Sequence, residues 1–160
     1  MNDFQIRDLL EEVKDPEVPV LSILDLGVVR SFSVKGNAVD IVLTPTYSGC
    51  PAMQVIEDDI VSILNKNGVE EVNIEMVLAP AWTTDWITEK GKQQLKEFGI
   101  APPEKSSVDK SSITGDAIFI GCPQCNSENT EMISQFGSTA CKALYKCKDC
   151  LEPFDYFKCL

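Results

Sequence analysis

The residues of this chain best suited to chemistry are its seven cysteines, six of which lie beyond residue 121. Four of those six form two matched pairs, Cys122-Pro123-Gln124-Cys125 and Cys147-Lys148-Asp149-Cys150, with 21 residues between the pairs. Two residues between sulfurs let the backbone turn so that both thiolates face one ion. A second knuckle, brought across by an antiparallel hairpin, completes a tetrahedral shell. The spacing therefore predicts a four-cysteine metal site, with zinc as the first expectation and a structural role, because catalytic zinc keeps an open position. Iron in a rubredoxin-like site, or an iron–sulfur cluster, takes the same donors and stays open as an alternative. Cys141 and Cys159 are left beside the knuckles, either as small buried apolar side chains or as additional ligands or a redox pair.

Cys50 stands alone in the N-terminal part, directly before Pro51. Proline suits the first position of a helix, so the sulfur is expected at a helix N-terminus, where backbone N–H groups and the macrodipole favour a thiolate. Such a residue is either a cap without chemistry or a nucleophile or metal ligand. The chain has no histidine, which removes the commonest general base and the Cys-His pair of peptidases. No acid–base pair stands out by spacing either, and Asp15, Glu17 and Asp25 read first as turn-forming, solvated acids. No catalytic residue is assigned. Trp82 and Trp86, four apart, are a core pair or, if exposed, a partner-binding patch.

The elements that must position these residues follow from periodicity. Ile6, Leu9, Leu10 and Val13 predict a helix over Phe4 to Val13, capped by Asp3 and ended by Asp15-Pro16. Strands are expected over Val28 to Val34 and Ala38 to Leu43 around the turn Lys35-Gly36-Asn37. A helix from Pro51 to about Lys66 closes at Asn67-Gly68, and Val72, Ile74 and Met76 alternate in a third strand, parallel to a neighbour through a crossover. The first part is thus an α/β (α+β) domain with a small mixed sheet in the order α-β-β-α-β, over residues 1–100. It includes a last helix from Thr84 to Phe98. Residues 101–116, poor in apolar groups and rich in Ser, Lys, Pro and Gly, read as a linker. Short strands at 117–120, 130–136, 143–146 and 154–157 then make residues 117–160 a small all-β zinc ribbon. So small a core needs its metal to fold.

With 25 acidic against 14 basic residues the net charge is -11, which repels phosphate backbones, so no nucleic-acid partner is expected. No stretch approaches the roughly 20 apolar residues of a membrane span, and the start lacks the features of a signal peptide. A soluble cytoplasmic protein with reduced cysteines is the expectation.

Three motifs in the first hundred residues, Asp15-Pro16-Glu17-Val18-Pro19, Asp25-Leu26-Gly27-Val28-Val29 and Thr44 to Cys50-Pro51, resemble the iron–sulfur cluster assembly (SufT-like) family. Further on, Trp82-Thr83-Thr84-Asp85-Trp86, Phe98-Gly99-Ile100-Ala101-Pro102-Pro103, Cys122-Pro123-Gln124-Cys125 and Phe136 to Tyr145 are similar to the PaaD family of accessory proteins. The likeness spans nearly the whole chain. What it implies is a role in phenylacetate catabolism beside a phenylacetyl-CoA epoxidase, an oxygenase system with a di-iron core and a flavin and [2Fe-2S] reductase. The implied task is maturation, the insertion of an iron–sulfur cluster or metal, with no independent catalytic activity and with the oxygenase and reductase components as partners. In the family the cysteine of the Cys-Pro loop is proposed as a transient metal or cluster ligand, and it maps onto Cys50. One thiolate cannot hold a cluster alone, so a second protomer in a homodimer, a partner's thiol or an exogenous ligand is needed. Two other readings remain: a structural or docking subunit of the oxygenase complex, and a redox carrier with an iron site in the ribbon.

Overall fold

The computed structural model describes residues 1–103 and 120–158. The chain divides into two compact units, Met1–Trp82 and Thr83–Leu160.

In the first unit, α1 (Asp3–Glu12) and a short α2 (Ile23–Leu26) precede the hairpin β1 (Val29–Lys35) and β2 (Ala38–Leu43). Helix α3 (Ala52–Lys66) and β3 (Glu71–Met76) complete it. The strand order is β1-β2-β3, with β1 antiparallel and β3 parallel to the central β2. This is the expected mixed sheet, with α2 added. The strict alternation of β2 buries Val39, Ile41 and Leu43 on one face. Their register partners Phe32 and Val34 on β1 and Val72, Ile74 and Met76 on β3 share that face. On the opposite face Asp40 accepts hydrogen bonds from Lys35 Nζ (2.6 Å) and Asn73 Nδ2 (3.0 Å). Ala52, Met53, Ile56, Ile60 and Leu64 recur at helical spacing as the buried stripe of α3, and Ile6 and Leu10 are the buried residues of α1.

Helix α1 starts one residue before the expected position, because Asn2 rather than Asp3 is its cap. Asn2 Oδ1 accepts from the Gln5 N–H (2.9 Å) while the Asn2 N–H donates to Gln5 Oε1 (3.0 Å), a reciprocal capping box. Helix α2, which periodicity did not foretell, is capped by Ser22. The Ser22 Oγ accepts from the Asp25 N–H at 3.0 Å, and the Ser-x-x-Asp spacing was the available signal.

In the second unit a 3-10 turn (Thr84–Trp86), α4 (Glu89–Phe98) and β4 (Ile100–Ala101) lead to β5 (Thr130–Ser134), β6 (Lys142–Cys147) and β7 (Pro153–Phe157). The single helix expected over 84–98 is two pieces. Thr83 caps the turn, Ile87 is extended, and Thr88 starts α4 afresh by accepting from the Gly91 N–H at 3.0 Å. The sheet order is β4-β7-β6-β5. Its β4 strand pairs parallel with β7, Ile100 opposite Asp155 and Ala101 opposite Tyr156. Residues 83–100, expected with the first domain, therefore fold into this unit. Of the expected linker only 101–103 lie among the described residues, as does only Ile120 of the strand expected at 117–120. One core cluster here joins Ala101, Ile120, Cys122, Ala143, Tyr145, Cys147, Phe154 and Tyr156, and Ile87, Leu95, Ile100 and Phe157 are buried as well. Tyr145 stacks with Phe154 (6.0 Å between centroids) and meets Tyr156 edge-on (5.6 Å). No helix among the described residues is long and apolar enough to cross a membrane.

Candidate metal centre

The two knuckles are built alike. In the first, the Cys122 N–H donates to Ser127 O (2.9 Å); in the second, the Cys147 N–H donates to Glu152 O (2.9 Å). Each knuckle is followed by a residue in the left-handed region, Asn126 (φ 59°) and Leu151 (φ 66°). The β5–β6 pairing, with Thr130 opposite Cys147, brings the second knuckle beside the residues that follow the first.

All four sulfurs lie within 4.8 Å of one another, Cys122 and Cys147 buried, Cys125 and Cys150 facing solvent. Cys122 Sγ is 3.7 Å from Cys150 Sγ, and Cys125 Sγ is 3.6 Å from Cys147 Sγ. A tetrahedron of sulfurs, each about 2.3 Å from a central zinc, has edges of about 3.8 Å. The donor set and its spacing fit that ion, and these separations are far from the ~2.05 Å of a disulfide. Iron with four thiolates has a similar size, so distance alone does not choose between the two metals.

The thiols are electrostatically unequal. The backbone N–H of Cys150, opposed by desolvation and aided by that of Asp149 and by the Cys125 and Cys150 side chains, brings Cys147 down to about 7. At Cys150 the Glu152 N–H favours the thiolate, but desolvation and the sulfurs of Cys147, Cys122 and Cys125 push it up to about 12. One proton leaves readily and the last is held, so metal uptake here must displace protons and strengthen with rising pH.

Cys141 is no member of this group. It is buried and precedes β6, whereas Cys147 ends it; six residues of strand separate them by roughly 20 Å. Its sulfur lies 3.0 Å from Thr139 Oγ1. Cys159 lies outside the described residues.

Cys50 belongs to the first unit. The loop from Thr44 carries it to the start of α3, with Gly49 at φ 78° making the last turn and the Cys50 N–H donating to Tyr47 O (3.2 Å). Pro51 is the cap residue of α3 and offers no side-chain bond, and the Ala52 N–H points to the Cys50 sulfur instead. The expected helix-terminus position is there, but the expected thiolate is not. Desolvation by burial, which the Ala52 N–H only partly offsets, and the nearby Glu17 carboxylate raise the thiol above its ordinary 9.0. Glu17 is held by a tight turn in which Asp15 Oδ1 accepts from the Glu17 N–H (2.7 Å) and the Val18 N–H (2.9 Å). Asp15 and Asp25 are buried rather than solvated. Asp25 Oδ2 accepts from Ser22 Oγ (3.0 Å), which also lies 3.2 Å from Glu11 Oε2. Thr44 Oγ1, at the base of the Cys50 loop, is buried with no hydrogen-bond partner among the described residues. Trp82 is core, its Nε1 donating to Leu26 O at 3.0 Å, and Trp86 is half-buried.

Two sequence families match the two halves of this arrangement: "Iron-sulfur cluster assembly protein" over residues 4–76 and "PaaD zinc beta ribbon domain" over residues 106–158. A protein of Escherichia coli (strain K12), by name a component of 1,2-phenylacetyl-CoA epoxidase, is 47% identical over 156 residues, covering 98% of this chain and 92% of that one. The chain belongs to the PaaD family. An "Fe-S protein maturation auxiliary factor" of Porphyromonas gingivalis is 33% identical over 89 residues, 54% of this chain and 84% of that one. Among solved structures, a domain of unknown function from Bacillus anthracis superposes with a TM-score of 0.55 at 29% identity, over 58% of this chain and 90% of that one. In PaaD terms the first unit supplies the assembly-type fold, and the four cysteines fall inside the matched ribbon.

Proposed function

We propose that this chain is a non-catalytic maturation factor that assists iron–sulfur cluster or metal insertion into a phenylacetyl-CoA epoxidase. Cys50 is its transient ligand, and the ribbon, folded around a structural zinc on Cys122, Cys125, Cys147 and Cys150, is its docking module. The observation that carries the reading is the environment of Cys50. It is the one cysteine of the first unit, and its thiol is raised rather than lowered. A donor that is protonated at neutral pH ligates weakly, since each metal–sulfur bond must expel a proton. A carrier needs that weakness. Ligation replaces the Cys50 S–H by a metal–sulfur bond and releases the proton. Release to an acceptor thiolate reverses the exchange, with no electron transferred. A single donor leaves the remaining positions to the acceptor, an exogenous thiol or a second protomer. The closed four-sulfur shell holds its ion too fully for such a handover, so the two sites divide the work.

Co-expression of the epoxidase components with a Cys50→Ser chain tests this. The variant is expected to fold, to keep its ribbon metal and to leave the reductase or oxygenase short of its cofactor. Full cofactor occupancy and full epoxidase activity would overturn the assignment. The second reading, a stoichiometric docking component of the complex, rests on the name of the Escherichia coli relative. It requires the chain to co-purify in fixed ratio with active epoxidase.

A further inference from the structure

The region between the knuckles contains a carboxylate that the metal itself does not explain. Asp149 lies inside the second knuckle, one residue before Cys150. Its Oδ1 accepts from Asn129 Nδ2 at 2.7 Å, and its Oδ2 accepts from Ser127 Oγ. Both donors follow directly on the first knuckle. Ser127 O is the acceptor of the Cys122 N–H, and Ser127 Oγ receives the Asn129 N–H at 3.0 Å. The neighbouring Lys148 N–H donates to Asn129 O at 2.8 Å. Both residues that separate Cys147 from Cys150 are thus tied to the stretch after Cys125, and no strand pairing among the described residues reaches this far.

We infer that Asp149 is a positioning residue of the metal centre, its carboxylate joining the two knuckles through Ser127 and Asn129 so that their sulfurs meet at tetrahedral spacing. A carboxylate has no obvious reason to stand beside four thiolates on grounds of charge, since their complex with a divalent ion already carries an excess of two negative charges. Its two oxygens are used instead as acceptors in a fixed fork, one donor on each. An amide can keep the Asn129 bond through its oxygen but must reverse the other, its nitrogen donating to the Ser127 hydroxyl, and it loses the charge that strengthens both. Outer-shell contacts of this kind typically govern metal affinity by 10- to 100-fold.

The inference rests on the metal reading of the four cysteines and is tested on the full-length protein. Zinc affinity is measured by competition with a chromogenic chelator, and the cobalt(II)-substituted protein reports ligand geometry through its visible ligand-field bands. Asp149→Ala is expected to weaken zinc 10- to 100-fold and to shift the cobalt bands, with Asp149→Asn intermediate. Ser127→Ala and Asn129→Ala, which each delete one donor, are expected to give partial losses and keep the measurement interpretable if Asp149→Ala folds poorly. Glu131→Ala is the control for charge, because Glu131 meets the second knuckle only through a half-exposed surface ion pair with Lys148 at 3.2 Å, a kind of contact that contributes little. Wild-type affinity and bands in Asp149→Ala, or an equal loss in Glu131→Ala, would overturn the positioning role. A wild-type chain that takes up neither zinc nor cobalt would overturn the underlying metal reading instead.

Discussion

Thr44→Val asks whether the base of the Cys50 loop is a place where stability has been given up. Thr44 is 1% exposed, and its hydroxyl has no hydrogen-bond partner among the described residues. Its backbone is well anchored, the N–H donating to Val28 O at 2.8 Å. Burying an unsatisfied hydroxyl costs about 1–3 kcal/mol. Valine has the same branched shape and removes the polar atom, so the substitution is expected to stabilise the first unit by about 1–2 kcal/mol. A gain of that size shifts the folding equilibrium about five- to thirty-fold. Amide exchange followed by mass spectrometry reads it directly: exchange of the most protected amides of β2 should slow by that factor, while β6 in the second unit should not change. Thr84, whose Oγ1 is buried and unpartnered in the second unit among the described residues, provides the mirror experiment, with Thr84→Val slowing β6 and not β2. Faster exchange of β2 in Thr44→Val would refute the reasoning, since it would mean that the hydroxyl has a partner whose loss outweighs the desolvation it relieves.

Removal of the ribbon metal by a strong chelator should abolish protection in β6 and β7 while leaving β2 protected, because structural zinc contributes on the order of 10 kcal/mol or more to so small a core; amide exchange of the metal-free chain checks it, and a protected β6 would refute it. Cys50 alkylation should be slow at neutral pH and accelerate only above pH 9, because its folded value is raised above 9.0. The sign for stability follows: the folded state holds this proton more tightly, so the contribution is present below the unfolded value and is lost as pH rises through the folded one. Mass-spectrometric labelling of the Cys50 peptide against pH, native and denatured, decides it, and native labelling at half-maximal rate below about pH 8 would count against the burial argument. Leu151→Gly should stabilise the second knuckle by about 1 kcal/mol, because a branched side chain at φ 66° carries a penalty that glycine lacks; unchanged or lower melting of the metal-loaded ribbon would contradict it.

The sheet of the first unit was legible because its pattern was simple. Val39, Ile41 and Leu43 alternate without interruption, and the turn at Lys35-Gly36-Asn37 fixes their partners. The knuckle spacing was legible for a different reason, since tetrahedral coordination admits few loop lengths. What periodicity could not show was long-range. The parallel pairing of Ile100 and Ala101 with Asp155 and Tyr156 joins residues more than fifty apart, with no local signature. The break between the 3-10 turn and α4 was hidden because Trp86, Ile87 and Leu95 keep an apolar rhythm, and only Thr88 marks the restart. The chemistry of Cys50 was half legible: its position before Pro51 is a sequence fact, but burial and the approach of Glu17 across thirty residues reverse the sign of the helix-terminus argument. Asp149 offered no signal beyond standing between two cysteines, because its partners are chosen by the hairpin.

The two-residue strand β4 has a bearing on how this chain can be dissected. Without it, β7 would be the outer strand of a three-stranded sheet, its backbone donors and acceptors unpaired along Asp155 and Tyr156. Bare strands of that kind recruit other chains. A fragment cut at the ribbon family's own boundary, residue 106, would therefore carry all four cysteines and still be prone to self-association. One begun at Thr83 would bring its own edge guard, so the smallest self-sufficient ribbon is longer than the zinc ligands alone would imply.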